Sequence, residues 1–115
     1  MPDILIQKAD AQSAENIGEL LYELEIEIWP EFRDEFDLHE FISSTTSLLQ
    51  SENFWVFIAV LDKEIVGVLT LSEKKAVYAH GSLGEIMELY ILPQYRSEGI
   101  GLSLIHISEP TRPTL

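Results

Sequence analysis

The spacing of apolar residues changes at about residue 50, and this change constrains the fold more than any other feature of the sequence. Before it, apolar side chains recur every three or four positions, which is typical of a helix that packs by one face. In the first such stretch they are Ile17, Leu20, Leu21, Leu24 and Ile28. After it, residues 54–60 are a continuous apolar run, mostly aromatic and β-branched, which is typical of a strand buried on both faces. Helices followed by strands predict an α+β domain.

Two helical regions are expected in the first half. Asp10 or Ser13 can cap the start of the first helix, and Pro30 ends it because proline lacks an amide hydrogen and clashes with the preceding turn. A less regular apolar pattern over residues 31–50 predicts a second helical region.

The strands are expected at residues 4–7, 54–60, 65–71 and 85–92. The second and third form a hairpin across the polar turn at residues 62–64, and Pro93 ends the fourth. Gly67 inside a strand indicates a bulge or a close backbone approach. The order is β-α-α-β-β-β-loop-α, an α+β fold of three layers with a mixed, mainly antiparallel sheet flanked by helices.

Length and composition exclude several classes of protein. A chain of 115 residues has room for one small domain, and its longest apolar run, residues 54–61, is far shorter than the roughly 20 residues of a membrane-spanning helix. No basic region precedes an apolar stretch at the N-terminus, so we expect no secretory signal and a cytoplasmic location. The absence of cysteine excludes disulfides, thiolate metal sites and a cysteine nucleophile.

The formal net charge is −13, and residues 1–50, with twelve acidic side chains against Lys8 and Arg33, carry most of it. Such a surface repels the phosphates of nucleic acid and anionic lipid, so neither is an expected partner. It attracts cations, including the ammonium groups of a small substrate or a peptide. The alternative is a solvated helix face that keeps the protein soluble.

A glycine-containing loop follows the last predicted strand. Gly99 and Gly101 stand two positions apart, just before an apolar segment that begins a helix. Glycine lets the backbone turn tightly and approach a ligand, and the free amides of a helix start point at bound anions. Arg96 adds a planar, charged donor that suits a diphosphate. The spacing alone is compatible with phosphate binding and with a plain strand-to-helix turn.

The segment LYILPQYRSEGIG at residues 89–101 resembles the acyl-coenzyme A signature of the GNAT N-acetyltransferase superfamily. That signature is Arg/Gln-x-x-Gly-x-Gly/Ala after a strand, and Arg96, Gly99 and Gly101 occupy its three positions. The order of elements agrees as well, so the resemblance covers residues 1–103 and implies the N-terminal part of a GNAT domain.

The resemblance implies that acetyl-CoA is the cosubstrate and that no metal takes part. The loop would hold the diphosphate, and backbone groups of Leu89 and Ile91 would pair with the pantetheine arm as an added strand. The implied cofactor-binding residues are Leu89, Tyr90, Ile91, Arg96, Ser97, Glu98, Gly99, Ile100 and Gly101. Ser97 stands where the family usually has glycine, and Glu98 where it often has a basic residue, which could weaken cofactor affinity.

An acid on the signature strand commonly deprotonates or orients the acceptor amine in this family. The candidates are Glu88, which is preferred, and Glu85; a bulge would change which of them faces the cleft, and a solvent-facing glutamate is the alternative for each. The implied reaction is direct transfer of the acetyl group to a primary amine, with a general base and backbone donors on the thioester carbonyl. The acidic first half favours a cationic acceptor such as an aminoglycoside, a polyamine or a peptide amine, and a homodimer is compatible with this class.

The family pattern does not continue to the end of the chain. Residues 104–115 contain two prolines, Pro110 and Pro113, and resemble a translation of sequencing-adaptor DNA, so we expect a non-native tail that does not continue the helix. We accordingly expect this 115-residue chain to be a truncated, marginally folded and inactive form of an acetyltransferase.

Other residues are not assigned to the site. His39, His80 and His106 lack the spacing of metal ligands. Trp29 and Phe32, near Tyr22, could line an acceptor pocket, but core packing is the favoured role. Two other functions stay open: a non-catalytic acyl-CoA sensor or interaction domain of the same fold, and a structural module in which the glycines only make a turn.

Overall fold

The computed structural model describes residues 3–77 and 81–108. Its helices are α1 (Ala14–Ile28), α2 (Leu38–Leu49) and α3 (Ile100–Ser108), and its strands are β1 (Leu5–Lys8), β2 (Phe54–Leu61), β3 (Glu64–Lys74) and β4 (Leu83–Ile91). Short 3-10 helices lie at Ala11–Ser13, Pro30–Glu35 and Pro93–Tyr95. This arrangement confirms the predicted α+β fold and its order of elements.

The four strands form one sheet in the order β1-β2-β3-β4. Each neighbouring pair is antiparallel, so the sheet is antiparallel throughout the described residues rather than mixed. The strand β4 therefore lies at an edge, and no described strand pairs with its outer side.

Helices cover both faces of the sheet, which gives the three predicted layers. The face under α1 and α2 is held by the buried side chains of Ile17, Leu20, Val56, Ile58, Val68 and Tyr90. The opposite face packs on α3 through Phe57, Ala59, Leu61, Val66, Leu69, Leu71, Ile100 and Leu104. The strands β2 and β3 thus alternate between two cores, which explains why residues 54–60 read as continuously apolar.

One of the two predicted capping residues before α1 makes a capping hydrogen bond. The Asp10 carboxylate accepts a hydrogen bond from the Gln12 amide and so caps the short 3-10 helix before α1. Ser13 precedes α1 but makes no capping hydrogen bond with its side chain. Ile17 is fully buried on the predicted apolar stripe, whereas Ile28, at the end of that stripe, is exposed.

The region 31–50 is not one helix, because the chain makes a 3-10 helix at Pro30–Glu35 and starts again at α2. Asp37 caps the start of α2 by accepting from the His39 amide. At the other end of the chain, α3 continues through His106 to Ser108, so the expectation that the helix does not continue into residues 104–115 is wrong for residues 104–108. His80 lies outside the described residues, and so does the remainder of the suspected tail, residues 109–115.

Two bulges interrupt the pairing of β3 with its neighbours. Ala59 pairs with Gly67 and Val60 with Ile65, so Val66 is an extra residue in β3, next to the glycine that indicated a bulge. Thr70 pairs with Glu88 and Leu71 with Ile86, so Met87 is an extra residue in β4. A bulge changes which face the side chains beyond it occupy.

No helix within residues 3–77 and 81–108 is long and apolar enough to cross a membrane.

Candidate active site

The Met87 bulge places both candidate acids on the same face of the sheet. Glu88 pairs with Thr70 and Glu85 pairs with Ser72. Because Thr70 and Ser72 are two residues apart on β3, and paired residues share a face, Glu85 and Glu88 both lie on the face that α1 and α2 cover. In a strand without the bulge, two residues three positions apart would lie on opposite faces.

The two acids differ in their contacts. Glu85 forms an exposed ion pair with Lys74, in which the Nζ and Oε1 atoms are 3.2 Å apart. Glu88 is half-buried, and its carboxylate accepts a hydrogen bond from the Thr70 hydroxyl. The Thr70 Oγ1 in turn accepts from the Glu88 backbone amide at 2.9 Å, and Thr70 is 1 % exposed. The threonine therefore fixes Glu88 from two directions.

Glu88 lies at the wall of a cavity of about 270 Å³ between α1, α2 and the sheet, which we call the acidic cavity. Two further carboxylates, those of Glu25 and Glu40, line it. The rest of the wall is mainly apolar and aromatic: Ile17, Leu21, Phe41, Ser44, Thr45, Leu48, Phe54, Val56 and Thr70. Three acids in a partly apolar cavity favour a ligand that is a cation with an aliphatic body.

A second, more open depression adjoins the acidic cavity, and we call it the aromatic depression. Its wall consists of Glu25, Trp29, Phe32, Glu35 and Phe36. Trp29 is 48 % exposed and Phe32 is 45 % exposed, so the expectation that these two rings pack in the core is wrong. The 3-10 helix at Pro30–Glu35 carries Phe32 away from the sheet. Tyr22 instead packs its ring edge-on against Phe41, at 5.7 Å between centroids.

The loop after β4 has the backbone geometry that its glycines suggested. Ser97 and Gly99 both have positive φ angles, 69° and 81°, and α3 begins at Ile100. The Ser103 amide donates to the Gly99 carbonyl at 3.0 Å, which starts the helical ladder and leaves the amides of residues 100–102 free of helical partners. A Cβ atom built on Gly99 would meet nothing within 4 Å, so the loop is open to a ligand.

Arg96 is directed at α1. Its Nη2 atom lies 2.8 Å from a carboxylate oxygen of Glu27, its Nε donates to the Ile91 carbonyl at 2.8 Å, and its guanidinium lies 5.2 Å from the centre of the Tyr90 ring. The hydrogen bond to Glu27 raises the pKa of the Arg96 guanidinium. The Tyr90 ring beneath it is buried.

Burial raises the pKa of the Tyr90 phenol above its ordinary value, and the Glu27 carboxylate raises it further. The Arg96 guanidinium acts in the opposite direction without cancelling these effects. Tyr90 thus contributes a neutral, packed ring beneath Arg96, at the place where the loop meets the end of α1.

The edge strand offers backbone groups to a ligand. The Leu92 amide donates to the Val66 carbonyl at 2.9 Å, so the backbone amide of Leu92 points inward, toward β3. Because alternate residues turn their peptide groups to opposite sides of a strand, Leu89 and Ile91 present theirs to the free edge. The Ile91 carbonyl, however, already accepts from Arg96.

Sequence reasoning missed four contributors to the site. Thr70 reads as an ordinary strand residue until the cross-strand register is known, and Glu25 and Glu40 read as surface acids on two separate helices. Glu27 lies 69 positions before Arg96 in the chain, and no local sequence signal pairs the two residues. No group of three His, Cys, Asp or Glu side chains suited to a metal ion occurs in the described part of the chain.

Known proteins resemble this chain over most of its length. A model of the Acetyltransferase (GNAT) family matches residues 18–109. The chain is 36% identical over 59 residues to an uncharacterized N-acetyltransferase of Archaeoglobus fulgidus, a match that covers 50% of this chain and 40% of the relative. It is 26% identical over 109 residues to the aminoalkylphosphonate N-acetyltransferase of Salmonella typhimurium, with 95% of this chain and 66% of the relative covered. This chain therefore spans less than two thirds of the length of either curated relative.

The fold also matches a solved structure of an aminoglycoside N-acetyltransferase in complex with CoA. The TM-score is 0.76 at 18% sequence identity, and the match covers 96% of this chain and 70% of the other. At this identity the likeness concerns the arrangement of helices and strands alone.

Proposed function

The chain belongs to the acetyltransferase (GNAT) family, and from this membership we propose that it contributes the acceptor and cofactor sites for direct transfer of an acetyl group from acetyl-CoA to a primary amine. The observation that carries the proposal is the pair of Thr70 and Glu88. It lies at the wall of an acidic cavity, on the strand that leads into the glycine loop.

The described residues fit acetyl-CoA at the loop after β4. The free amides of residues 100–102 at the start of α3 would hold the diphosphate, assisted by the helix dipole, and Gly99 leaves open space for it. The exposed backbone groups of Leu89 would pair with the pantetheine arm along the edge of β4. The cosubstrate supplies an acetyl group activated as a thioester.

We assign Arg96 to holding the loop against α1, because Glu27, Tyr90 and the Ile91 carbonyl already engage its guanidinium. The side chain of Glu98 is exposed, so water and salt screen its charge. The backbone of Tyr90 belongs to the edge strand, but its buried ring packs under α1 and serves the fold.

Glu88 would act on the acceptor amine. An ammonium group must lose a proton before its nitrogen can attack the thioester, and the Glu88 carboxylate can take that proton directly or through one water. Thr70 holds the carboxylate in one orientation, so less conformational entropy is lost when the carboxylate reaches the reactive geometry. Glu85 is less suited, because its carboxylate is exposed and paired with Lys74.

The acceptor would be a small-molecule amine that carries positive charge. Glu25, Glu40 and Glu88 surround the cavity, and no basic side chain lines it. The related enzymes named above act on aminoalkylphosphonates and aminoglycosides, both of which bear amino groups. We place the reaction in the cytoplasm, as the acidic, cysteine-free composition of the chain suggests.

Because the 115-residue chain is expected to be inactive, the experiment uses a full-length version in which the acetyltransferase domain continues, and it compares Glu88→Gln with Glu85→Gln, which removes the same charge three residues away. Acetyl-CoA is titrated calorimetrically into each purified protein, and release of the coenzyme A thiol is followed in the presence of an amine. We expect Glu88→Gln to lower turnover by 10²-fold or more while acetyl-CoA binding is unchanged, and Glu85→Gln to keep both. Turnover that survives in Glu88→Gln would refute the role of Glu88.

The same experiment tests a non-catalytic acyl-CoA sensor. Such a protein would bind acetyl-CoA and show no turnover in any variant. The absence of acetyl-CoA binding in the unsubstituted chain would refute the assignment of the loop.

A further inference from the structure

The aromatic depression has no role in the reaction proposed above, yet it exposes large rings beside carboxylates. The Trp29 and Phe32 ring centres are 6.3 Å apart with an angle of 53° between the ring planes, and Phe36 completes the wall. Glu25 and Glu35 lie in the same wall. Aromatic faces and carboxylates both attract an organic cation, the faces through their quadrupole and the carboxylates through their charge.

This depression continues the acidic cavity along α1. Glu25 lines both. Ile17, Leu21 and Glu25 follow one another at four-residue intervals along one side of α1, and Trp29, just past the end of the helix, is the next residue of that series. On the facing wall, Phe36 of the depression packs its ring edge-on against Phe41 of the cavity, with 6.2 Å between centroids. The two sites therefore adjoin at Glu25, near enough for one flexible ligand to reach both.

The two linings have one sign of charge. Together they contain four carboxylates, those of Glu25, Glu35, Glu40 and Glu88, and no basic side chain. The ion pairs within residues 3–77 and 81–108 lie elsewhere, between Lys74 and Glu85 and between Arg96 and Glu27. A ligand with two positive charges would balance this pair of sites better than a ligand with one.

We propose that the aromatic depression is a second ammonium subsite, and that the acceptor is therefore an aliphatic amine with at least two amino groups. One amine is placed at Glu88 for acetylation, and the other, still charged, lies against Trp29 and Phe32 between Glu25 and Glu35. This inference rests on the proposed function, because it takes Glu88 as the reacting end. The rings supply selectivity for length, since only a chain that spans from Glu88 to Trp29 satisfies both ends.

The test uses the full chain with Trp55→Phe, so that Trp29 is its single tryptophan. Linear diamines of three to eight carbons and the n-alkylamines of the same lengths are titrated at low salt, by calorimetry and by Trp29 fluorescence. We expect at least one diamine to bind tenfold or more tightly than its monoamine and to change the Trp29 emission. Trp29→Leu should abolish that advantage and leave monoamine binding unchanged, whereas Leu5→Ala, at another exposed apolar site, on β1, should preserve it.

Equal affinity for diamines and monoamines, or an advantage that survives in Trp29→Leu, would overturn the proposal, as would the absence of binding. Emission changes that depend on protein concentration would assign the depression to a second copy of the chain and would overturn it too. Selection of diamines through Trp29, together with a full-length version that acetylates no amine, would refute the proposed function and leave the subsite standing. If diamines and monoamines bound equally well and were acetylated equally fast, the second subsite would be refuted and the proposed function would stand.

Discussion

The Thr70 hydroxyl is the contact on which the proposed chemistry depends most closely. It donates to the Glu88 carboxylate and accepts from the Glu88 amide while almost completely buried. Replacing Thr70 by valine keeps the shape and removes both hydrogen bonds. We expect a tenfold or greater fall in kcat with unchanged acetyl-CoA affinity, and a loss of about 1–2 kcal/mol in the free energy of unfolding.

Thr70→Ser is the matched control, because it keeps the hydroxyl and removes only a methyl group. The serine variant should therefore keep most of the kcat of the unsubstituted protein, as measured by steady-state kinetics. If valine and serine lowered kcat equally, Thr70 would serve packing and would not position the carboxylate.

Ser97 carries a backbone conformation that favours glycine. Its φ of 69° lies in the left-handed region, which costs a residue with a Cβ about 1–2 kcal/mol. Ser97→Gly should therefore raise the free energy of unfolding by about 1 kcal/mol, as measured by urea denaturation. Ser97→Ala keeps the Cβ and should bring no gain; a gain equal to that of glycine would place the cause in the hydroxyl group.

The phenol of Tyr90 makes stability depend on alkaline pH. Its pKa is raised in the folded state, chiefly by burial, so folding favours the protonated form. This contribution is complete below the ordinary pKa of tyrosine, about 10, and is lost as the pH rises through the folded value. Urea denaturation between pH 8 and about 11.5 should show the decline, and Tyr90→Phe should decline less steeply. Identical profiles would contradict the shift.

At the scale of elements, a glycine sets the distance between α1 and α2. A Cβ atom built on Gly18 would lie 2.8 Å from the Ile42 Cα, which is backbone and cannot move aside. Gly18→Ala should therefore separate the two helices and lower the free energy of unfolding by about 1–3 kcal/mol, despite alanine's better helix propensity.

Gly101→Ala provides the comparison within α3. There the added Cβ would lie 3.9 Å from the nearest Leu89 atom, an ordinary contact, so stability should be unchanged or slightly higher. The midpoints and slopes of denaturant unfolding show whether Gly18→Ala destabilises the protein while Gly101→Ala does not. Equal effects would mean that the close approach at Gly18 does not limit the packing of α1 on α2.

The existence and order of the elements were predictable because each has a local signal. The apolar period of α1, the continuous apolar run of β2 and the stop at Pro30 all act within a few residues. The chain around Phe32 was harder, because a 3-10 helix and an α-helix share nearly the same apolar spacing over one turn.

The candidate site was predictable only in part. The Arg96-to-Gly101 loop has a sequence motif, whereas the partner of Glu88 depends on the register of β4 against β3, and that register is shifted by a bulge. A bulge follows from how whole strands pair and has no reliable local signal. Likewise, the contact between Arg96 and Glu27 joins segments far apart in the chain.

At the scale of the whole molecule, the outer side of β4 is the most consequential surface. No described strand pairs with it, and Met87 on this strand is 49 % exposed. Unpaired strand edges associate readily with other chains. We expect the protein to self-associate with rising concentration, through pairing of β4 between copies.

Met87→Lys should weaken this association, because charge on an edge strand opposes pairing. Val77→Lys adds the same charge at an exposed site outside the strand and should leave association unchanged. Light scattering coupled to size-exclusion chromatography measures both. A monomer at all concentrations, or equal effects of the two lysines, would contradict association through β4.

The extra residue at Met87 also governs how homologous strands are to be compared. An alignment to an unbulged strand that leaves no gap at this position shifts every earlier residue of β4 by one column and pairs Glu85 with a residue on the face opposite the acidic cavity. Loss of the extra residue would turn the side chain at position 85 to the opposite face and leave Glu88 where it is, with no change in either acid. Comparing such strands column by column would place the acid at position 85 on the wrong face, whereas superposing their backbones would show the face it occupies.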